Sequence, residues 1–486
     1  MKKQSENRNL SMVMDFYEMT MANGYFSVEE NDTLAVFDVF YRKNPDNAGF
    51  AIFGGLEQII EYVNDLHFDD EDISYLRSQG IFPEDFLSYL RNFRFRGDIY
   101  AMPEGTVIYP NEPIITVVAP LLDAQLVETA ILLEVNHQSL IATKTNRIVR
   151  MANGRAVSDF GARRAHNVDA AVYGARAAYI GGAVGTATVL AGEMFGIPVS
   201  GTMAHSWVMF FENEYEAFKK YAEVYPDSTV LLVDTYNVRK SGIPNAIRVA
   251  KEVLEPMGKR LKGIRIDSGD LAFLSKEARR MLDEAGLTDC KIIVSNGLDE
   301  YTIKTLIDQG AEIDSFGVGE RLITSASSPV FGAVYKLVAI QKGGKFIPKM
   351  KVSENTEKTT NPGLKKIYRV YDESGKAIAE YLTRADEEID FTKPVDYVDP
   401  AKYWKRRAFA NCTFKELQVK VFHQGEQVYA SPSVAEIRAY VKSQLTDEIW
   451  DEEQRFENPH AHYFDMSPAM YELKMSLLDE FEHAVR

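Results

Sequence analysis

The sequence has little cysteine, no long apolar run and a shortage of basic residues. Only Cys290 and Cys412 occur among 486 residues, far apart, which indicates a reduced, cytoplasmic setting rather than a disulfide framework or a metal site. The first ten residues contain two lysines with no apolar stretch behind them, so we expect no signal peptide. No segment has the roughly 20 apolar residues that cross a bilayer; the nearest, 180–195, is interrupted by glycines and a glutamate.

The charge balance excludes two classes of partner. Lys and Arg number 55 and Asp and Glu number 71, which gives a net charge of −16. A surface this acidic repels nucleic acid and anionic membranes, so we expect neither as a partner. A small anionic substrate remains compatible if local basic residues overcome the global field. With 45% apolar and 26% charged residues, the composition is that of an ordinary globular protein of two or three domains.

The pattern of apolar residues changes twice along the chain, which predicts three domains. We expect an N-terminal α/β domain over 1–140, a catalytic α/β domain over 141–345, and a C-terminal region over 346–486 that partly returns to the first. In the first domain, helical spacing predicts a helix over 11–26, and alternation predicts a strand over 34–41. Further elements predicted there are a helix over 50–66 and, between prolines, an edge strand over 114–119.

The central region alternates strand-like and helix-like runs after a predicted helix over 123–151. This alternation is typical of parallel strands with helical crossovers. Most of the strand-like runs end in small or polar residues, and such ends meet at one face, where a closed barrel carries its chemistry. An open doubly wound sheet would bind ligands at the same edge, but the clustering of these ends favours a barrel. The predicted strands span 156–158, 198–200, 229–233, 263–266, 291–294 and 314–316.

Polar residues at these strand ends are the candidates for chemistry. His205 lies in GTMAHSW before a predicted helix over 206–224, where the positive end of the helix dipole suits an imidazole that carries a phosphoryl group. Capping or packing is the alternative for a single histidine. Asp159, Asp234 and Asp267 each end an apolar run. At one mouth they would stabilise positive charge, or hold ribose hydroxyls and hydrated magnesium, whereas each alone could cap a helix.

Glycines and arginines near the later strands suggest anion binding. Gly297, Gly317 and Gly319 would let backbone N–H groups approach a phosphate, unless they are ordinary turn glycines. Arg163 and Arg265 would clamp a carboxylate or phosphate, because a guanidinium offers a planar fork of donors. The sequence has neither a P-loop nor a strand-associated GxGxxG, so the common nucleotide fingerprints do not apply.

Other residues carry weaker signals. Phe160, close to Arg163 in DFGAR, could stack on an aromatic ring or simply pack in the core. Lys336 and Lys351 could hold a polyphosphate, although surface lysines are usually just solvated. His460 and His462 form an HAH pair without a carboxylate triad nearby in sequence, so we do not predict a metal site there.

Six segments, in matching order and spacing, resemble the motifs of one known family. They are DFYEMTMANGYF (15–26), SDFGARR (158–164), VSGTMAHSW (199–207), LLVDTYN (231–237), IRIDSGD (264–270) and FGVGERL (316–322). The pattern is similar to that of the nicotinate phosphoribosyltransferases, and the likeness extends to PGLKKIYR and NPH near the C-terminus. It therefore covers almost the whole chain.

The resemblance implies a fold and a reaction. The fold would be the irregular α/β barrel of type II phosphoribosyltransferases, beside an N-terminal α/β domain and a C-terminal extension. The enzyme would form nicotinate mononucleotide and pyrophosphate from nicotinate and phosphoribosyl pyrophosphate in NAD salvage. It would be an ATP-dependent ligase that couples ATP hydrolysis through a phosphorylated His205, with Mg²⁺ bound mainly through substrate phosphates. A cytoplasmic homodimer with shared active sites is implied as well.

The resemblance also implies roles for individual residues. Phe160 would stack on one face of the pyridine ring, and Tyr17, donated by the partner subunit, would stack on the other. Arg163 and Arg265 would line the pocket for the carboxylate and phosphate. The remaining implied substrate contacts are Asp234 and Asp267 for the ribose, Thr202 in the His205 motif, Ser295, Gly297, Gly317 and Gly319 for the 5′-phosphate, and Arg42, Lys336 and Lys351 for pyrophosphate.

One position distinguishes acid from amide. Relatives that use nicotinamide carry an aspartate in a Gly-Thr-Asp segment, whereas this chain has Gly185-Thr186-Ala187. An aspartate would repel the carboxylate of nicotinate, so alanine favours the acid and disfavours a nicotinamide enzyme. Quinolinate phosphoribosyltransferase, a shorter enzyme that releases CO₂, is a further alternative. So are a non-catalytic metabolite sensor and an aldolase-like barrel, which would need a Schiff-base lysine at a strand end.

Overall fold

Residues 8–352, 359–404 and 406–485 are described in a computed structural model of the chain. They fall into two units, one of Met1–Leu140 with Val330–Arg486 and the other of Ile141–Pro329. Among the described residues, no helix has the length and apolar character needed to cross a membrane.

The helices alternate with strands in the second unit and are grouped near both ends of the chain in the first. Short 3₁₀ and π turns accompany several of them. The α-helices are α1 Phe16–Ser27, α2 Leu56–Asp65, α3 Asp70–Ser78, α4 Glu84–Arg91, α5 Leu121–Gln125, α6 Glu128–Met151, α7 Val168–Ile180, α8 Val189–Phe195, α9 His205–Phe210, α10 Glu214–Val224, α11 Ile243–Val249, α12 Leu271–Glu284, α13 Glu300–Asp308, α14 Glu320–Ile323, α15 Val434–Ser443 and α16 Pro468–Val485.

The strands form one parallel sheet in the second unit and largely antiparallel sheets in the first. They are β1 Leu34–Phe40, β2 Ala51–Ile52, β3 Asp98–Ala101, β4 Val107–Ile108, β5 Ile115–Pro120, β6 Ala156–Asp159, β7 Gly185–Thr186, β8 Val230–Leu232, β9 Gly263–Ile266, β10 Lys291–Ser295, β11 Ser315–Val318, β12 Val334–Lys342, β13 Lys345–Pro348, β14 Lys365–Tyr371, β15 Ala377–Arg384, β16 Val395–Val398, β17 Arg406–Phe409, β18 Thr413–Glu416, β19 Val419–His423, β20 Glu426–Gln427 and β21 Phe464–Met466.

The parallel sheet of the second unit has the strand order of a barrel. The order is β7-β6-β11-β10-β9-β8, so the first strand of the unit pairs with the last, with Asp159 opposite Val318. Every other pair joins strands that are neighbours in sequence, which is how a ring of βα units closes. Beyond β7, Thr186 forms an isolated parallel bridge with Val199, and the described residues show no pairing from there to β8. The predicted irregular α/β barrel is confirmed, with one open seam.

Two details of the barrel differ from the sequence predictions. The predicted strand over 198–200 is reduced to the single bridge at Val199, and β7, with only two residues, was not predicted. A two-residue strand has no alternation to detect. The predicted helix over 206–224 is two helices, α9 and α10, separated by residues 211–213.

The main sheet of the first unit corrects another prediction. Its order is β13-β12-β1-β5-β3-β19-β20, which places β5 in the interior and not at an edge. The prolines that suggested an edge, at positions 113 and 120, lie at or beyond the strand ends and leave the ladder of β5 intact. Aromatic side chains from β1 and β12 pack behind this sheet, with Phe37 stacked on Tyr335 at 4.7 Å between ring centroids.

Residues 330–345, assigned from sequence to the barrel domain, lie in the first unit. Strand β12 pairs antiparallel with β1, and Asp38 lies opposite Lys336. Much of the C-terminal region predicted over 346–486 is a six-stranded sheet of order β17-β16-β21-β15-β14-β18. Charged residues at buried positions of these strands, Lys365, Arg369 and Glu380, break the apolar alternation that would predict them.

Candidate active site

His205 is the first residue of α9 and is held there by its neighbours. Trp207 donates from Nε1 to the carbonyl of Ala217 in α10 at 3.0 Å, which fixes the short helix against the longer one. Nδ1 of His205 lies 3.1 Å from Oγ1 of Thr235, directly after β8. Because α9 has only six residues, its dipole is smaller than the long predicted helix would supply. The orientation of the ring is therefore set by a side-chain contact.

Two carboxylates flank the other nitrogen of the ring. Nε2 of His205 lies 4.0 Å from Oδ1 of Asp234 and 4.0 Å from Oδ2 of Asp267. Oδ2 of Asp234 accepts hydrogen bonds from the backbone N–H of Asp267 at 3.0 Å and from Ser268 Oγ at 2.6 Å. Its Oδ1 is buried and has no hydrogen-bond partner among the described residues. The ends of β8 and β9 thus present two carboxylate oxygens to one imidazole nitrogen.

Arg265 ties three predicted site residues together. Its guanidinium donates to Asp267 Oδ1 at 2.8 Å, to Ser295 Oγ at 2.8 Å and to Thr202 Oγ1 at 3.2 Å. Ser295 in turn donates to Asp267 Oδ1. Because these residues come from the ends of β9, β10 and the loop before α9, the network fixes neighbouring strand ends in one arrangement.

Phe160 lies against the same arginine, and Gly317 makes room for it. The guanidinium carbon of Arg265 is 5.4 Å from the centre of the Phe160 ring. A Cβ at Gly317 would lie 2.4 Å from two atoms of that ring. The glycine predicted to cradle a phosphate is therefore required by the packing of Phe160, which remains only half-buried and available to a ligand.

Asp159 does not join the carboxylate pair. Its Oδ1 accepts from the N–H of Gly161 at 2.8 Å, and its Oδ2 accepts from Thr186 Oγ1 at 2.7 Å. Burial raises the pKa of this carboxyl, while both hydrogen bonds act in the opposite direction. Of the two alternatives for this aspartate, the structure therefore favours a structural one, because it holds β6 to β7. The backbone N–H of exposed Ala187 donates to the Asp159 carbonyl at 2.8 Å, which places Ala187 at the end of β7.

Three further predicted residues lie at strand ends of this unit without joining the network. Arg163 is exposed in a short 3₁₀ turn, 162–164, and donates no hydrogen bond to a residue that the structure describes. Gly297 has φ +65° and follows Asn296 at φ 82°, so the turn after β10 needs residues that tolerate a left-handed backbone. Gly319 directly precedes α14.

Tyr17 belongs to the other unit and lies on α1. Its side chain is exposed by 44%, in keeping with a residue that a ligand or a second chain could reach. Burial of its hydroxyl and the neighbouring Glu128 carboxylate raise the pKa of Tyr17. Asp15 precedes the helix as its N-cap, and its carboxylate forms a capping box with Glu18.

The three cations predicted to hold pyrophosphate lie near one another in that unit. Burial lowers the pKa of Lys336 against the opposing effect of Glu128, and the positive charges of Lys351 and Arg42 lower it further. The backbone N–H of Lys351 donates to Thr360 Oγ1 at 3.3 Å. The positive charges repel one another, and a bound polyanion would offset this repulsion.

Two residues of the barrel network were not predicted from sequence. Thr235 holds His205, and Ser268 holds Asp234. Each directly follows an aspartate in a motif, VDT or DSG, so position beside a candidate carboxylate was the available signal. Hydroxyls next to a strand-end carboxylate usually serve to orient it.

The donor set fits hydrated magnesium better than a protein-held metal. Among the described residues, no group of three or more His, Cys, Asp or Glu side chains has the arrangement of a metal site. The unpartnered Oδ1 of Asp234 and the nearby Oδ2 of Asp267 are oxygen ligands of the type that Mg²⁺ prefers. Two carboxylates leave most of the coordination to water and substrate phosphates.

Family models match successive parts of the chain. The model of the nicotinate phosphoribosyltransferase N-terminal domain matches residues 12–136, that of the nicotinate phosphoribosyltransferase family matches 155–377, and that of the C-terminal domain matches 364–474. Together they cover residues 12–136 and 155–474, which is most of the sequence.

Individual proteins match over nearly their full length. The nicotinate phosphoribosyltransferase of Bacillus subtilis (strain 168) is 45% identical over 480 residues, 98% of this chain and 97% of the relative. The crystal structure of human nicotinic acid phosphoribosyltransferase matches with a TM-score of 0.85 and 28% identity, covering 96% of this chain and 100% of that one. A nicotinate-nucleotide pyrophosphorylase from Pyrococcus furiosus matches with a TM-score of 0.69 and 26% identity, covering 92% and 97%.

Proposed function

The chain belongs to the nicotinate phosphoribosyltransferase family, and from that membership we propose that it transfers a phosphoribosyl group to nicotinate. The products would be nicotinate mononucleotide and pyrophosphate, in NAD salvage. The observation that carries the proposal is the strand-end cluster in which Asp234 and Asp267 flank His205 and Arg265 joins Asp267 to Phe160.

The cluster suits the charge that develops during transfer. As the bond from C1′ to pyrophosphate breaks, its electron pair leaves with pyrophosphate and the ribosyl carbon becomes positive, as in glycoside cleavage. Asp234 and Asp267 each have one oxygen free of hydrogen bonds to the described residues, and these oxygens can stabilise that charge or hold the ribose hydroxyls. The pyridine nitrogen of nicotinate carries no proton, so its attack on C1′ needs no general base.

Orientation of the acceptor would fall to the residues around Arg265. We assign the stacking of the pyridine ring to Phe160, with Tyr17 on the other face, and the binding of carboxylate or phosphate to Arg163 and Arg265. Stacking and a fixed guanidinium hold the acceptor in line with the ribosyl carbon, which is an entropic contribution to the rate. Because Tyr17 would come from a second copy, the proposal includes a homodimer.

The leaving pyrophosphate would be held by Arg42, Lys336 and Lys351. The 5′-phosphate would bind at the turns after β10 and β11, where Ser295 and Gly297 follow one strand. Bound Mg²⁺ would neutralise charge on the phosphates, with Asp234 and Asp267 as the oxygen ligands that fit its hydration shell.

ATP coupling is proposed to act through His205. The imidazole would accept the terminal phosphoryl group of ATP, releasing ADP, and water would later release inorganic phosphate. The half-exposed side chain and its contact with Thr235 support this role, because they present an oriented nitrogen to a ligand. The flanking carboxylates would repel the phosphoryl group once bound, which favours its later hydrolysis.

Purified protein should be incubated with phosphoribosyl pyrophosphate, Mg²⁺ and either nicotinate or nicotinamide, with and without ATP. We expect mononucleotide and pyrophosphate from nicotinate, with a rate that ATP raises. The increase should disappear in His205→Ala and persist in Lys442→Ala, a change at an exposed position of the other unit. Product from nicotinamide alone would overturn the acceptor assignment, and absence of product with both would overturn the proposed reaction.

Acceptor choice has its own test at Ala187. Its exposed position at the end of β7 leaves room for a carboxylate, which would repel nicotinate and accept a hydrogen bond from an amide. We expect Ala187→Asp to lower kcat/KM for nicotinate by about 10- to 100-fold, while Ala187→Asn, without the charge, loses less. Equal turnover of nicotinate by the aspartate variant would remove Ala187 as the specificity residue.

A further inference from the structure

A cavity in the first unit lies outside the proposed substrate contacts. It has a volume of about 180 Å³, room for several water molecules, since each occupies about 30 Å³ in the liquid. It is lined by Asp38, Phe40, Asn111, Pro113, Thr359, Asn361, Lys365, Pro400, Phe464, Met466 and Lys474. Arg42, Lys336 and Lys351, assigned above to pyrophosphate, are not among these residues.

Two lysines and a single aspartate supply the charge around this cavity. Lys365 is 2% exposed, donates to the carbonyl of Gly363 at 2.6 Å and forms an ion pair with Asp38 at 2.7 Å. Asp38 also accepts from Thr116 Oγ1 at 2.9 Å. The aspartate is therefore fully engaged by its own lysine and by Thr116.

Lys474, on α16, has no such partner. Its ammonium donates to Asn361 Oδ1 at 2.8 Å and forms no ion pair with any residue that the structure describes. An ammonium has three donors, so two have no acceptor among the described residues and can serve a ligand. Burial and the positive charge of Lys365 lower the pKa of Lys474 to about 8, so it is still mostly charged at neutral pH. A buried cation without a counter-charge is unfavourable, and an anion beside it would relieve the cost.

The remaining walls define the ligand that would fit. Asn111, Asn361 and Thr359 offer amide and hydroxyl groups to the lining, and Phe40 and Phe464 offer apolar surface. In a chain of net charge −16, two lysines converging on one cavity with a single carboxylate are a local excess of positive charge. Oxyanions match this combination, because they accept several hydrogen bonds and carry the missing charge.

We propose that this cavity binds a small oxyanion, a phosphate or a carboxylate, through Lys474, with Lys365 and the neighbouring amides completing the site. The site shares no residue with the barrel network of His205 and does not depend on the reaction assigned to that network.

Binding of inorganic phosphate and of benzoate should be measured by calorimetry on the full chain and on two variants. Lys474→Met removes the charge and keeps most of the length of the side chain, and Lys442→Met removes a charge from an exposed position of the same unit. We expect at least one of the two anions to bind at a site that is present in the wild type and in Lys442→Met. In Lys474→Met this site should bind about tenfold or more weakly, as expected for loss of a charge-assisted hydrogen bond. Phosphate bound in the barrel would contribute equally to all three proteins.

A labelling experiment on the wild type keeps the test independent of the stability of the variant. Reductive methylation followed by peptide mass spectrometry should modify Lys474, and the successful anion should slow this modification several-fold while Lys442 is modified at an unchanged rate. Protection by phosphate alone would identify the ligand as a phosphate, and protection by benzoate alone would identify it as a carboxylate. Equal binding by all three proteins, or no protection of Lys474 by either anion, would overturn the proposal.

Discussion

Two histidines, one in each unit, lie between pairs of carboxylates, and their surroundings differ in access. Nε2 of His205 is 4.0 Å from Asp234 and 4.0 Å from Asp267, and 42% of the side chain is exposed. His462, on the segment before β21, has 2% of its side chain exposed. The same three groups are therefore arranged once at a surface and once in an interior.

The interior cluster is bonded more closely. Nδ1 of His462 lies 2.9 Å from Glu453 Oε1, and Nε2 lies 3.4 Å from Glu380 Oε1. The ring stacks on Tyr109 with 3.8 Å between centroids, and Arg369 donates to Glu380 at 2.6 Å. Burial lowers the pKa of His462, but the two glutamates raise it more, so this pKa lies above that of an ordinary histidine.

The difference in exposure between His205 and His462 indicates that a histidine between carboxylates can react only where a ligand can reach it. Around His205, one oxygen of Asp234 has no hydrogen bond among the described residues, and the ring is half-exposed. Around His462, the side chains of Glu380 and Glu453 pair with Arg369 and with the histidine inside the protein. These contacts join segments that are distant in sequence. We therefore assign chemistry to the first cluster and stability to the second.

The largest effect is expected from His462→Gln. Removing one partner of a buried ion pair leaves Glu453 without a positive partner among the described residues and leaves Glu380 with Arg369 alone, which costs about 3–5 kcal/mol. Urea unfolding should show this loss of unfolding free energy, while the rate of mononucleotide formation per folded molecule should be preserved. The matched change His205→Gln should alter the free energy of unfolding by less than about 0.5 kcal/mol, since the ring is half-exposed. Equal destabilisation by the two variants would contradict the distinction.

Asp267→Asn should give the largest catalytic effect. It keeps an acceptor for Arg265 but removes the charge that we propose stabilises the ribosyl centre, so kcat/KM should fall by about 10²–10³-fold. Steady-state pyrophosphate release measures this, with a thermal melt to show that the fold persists. Asp159→Asn serves as the control, because that buried carboxylate holds β6 to β7 and should change the melt more than the rate. If Asp159→Asn lowered the rate more than Asp267→Asn, Asp267 would not be the carboxylate that stabilises the ribosyl charge.

Gly317→Ala probes the ring beside Arg265. The added Cβ meets Phe160 at 2.4 Å and must displace it, at a cost of about 1–3 kcal/mol. If Phe160 stacks on nicotinate, KM for nicotinate should rise about tenfold while KM for ATP stays within about twofold. Gly201→Ala, whose added Cβ would meet no atom within 4 Å, should leave both constants near their original values. An unchanged KM for nicotinate in Gly317→Ala would separate Phe160 from acceptor binding.

The smallest effect is a pH dependence of stability from His462. Because its pKa is raised in the folded state, its contribution is fully present below the ordinary histidine pKa of about 6.5 and is lost as pH rises through the folded value. Urea midpoints from pH 6 to 9 should fall more steeply in wild type than in His462→Gln. If the urea midpoints of the two proteins fell in parallel with pH, protonation of His462 would not contribute to stability.

The sequence predicts the barrel better than the polar network within it. Runs such as 263–266 and 291–294 are apolar and end in polar residues, so both the strands and the common edge of Asp234 and Asp267 could be derived. The two-residue strand β7 has no pattern to find. The structural role of Asp159 depends on Thr186, 27 residues away, and sequence spacing does not reveal such a contact.

The His462 cluster shows the same limit in the first unit. The HAH pair was not predicted to be a metal site, and its contacts with carboxylates were not predicted either. The nearest partners are Glu453 and Glu380, and the latter is 82 residues away, brought there by the pairing of β15 with β21. Long-range pairing of strands, not local pattern, decides which charges are buried together.

The central claim is that His205 and not His462 takes part in chemistry, and labelled ATP tests it most directly. The protein should be incubated with ATP carrying a labelled terminal phosphate, digested at alkaline pH and mapped by mass spectrometry. We expect an acid-labile phosphoryl group on the peptide that contains His205. This group should be retained in His462→Gln and absent in His205→Gln. Label on another residue, or a stable ATP-dependent activity in His205→Gln, would contradict the claim.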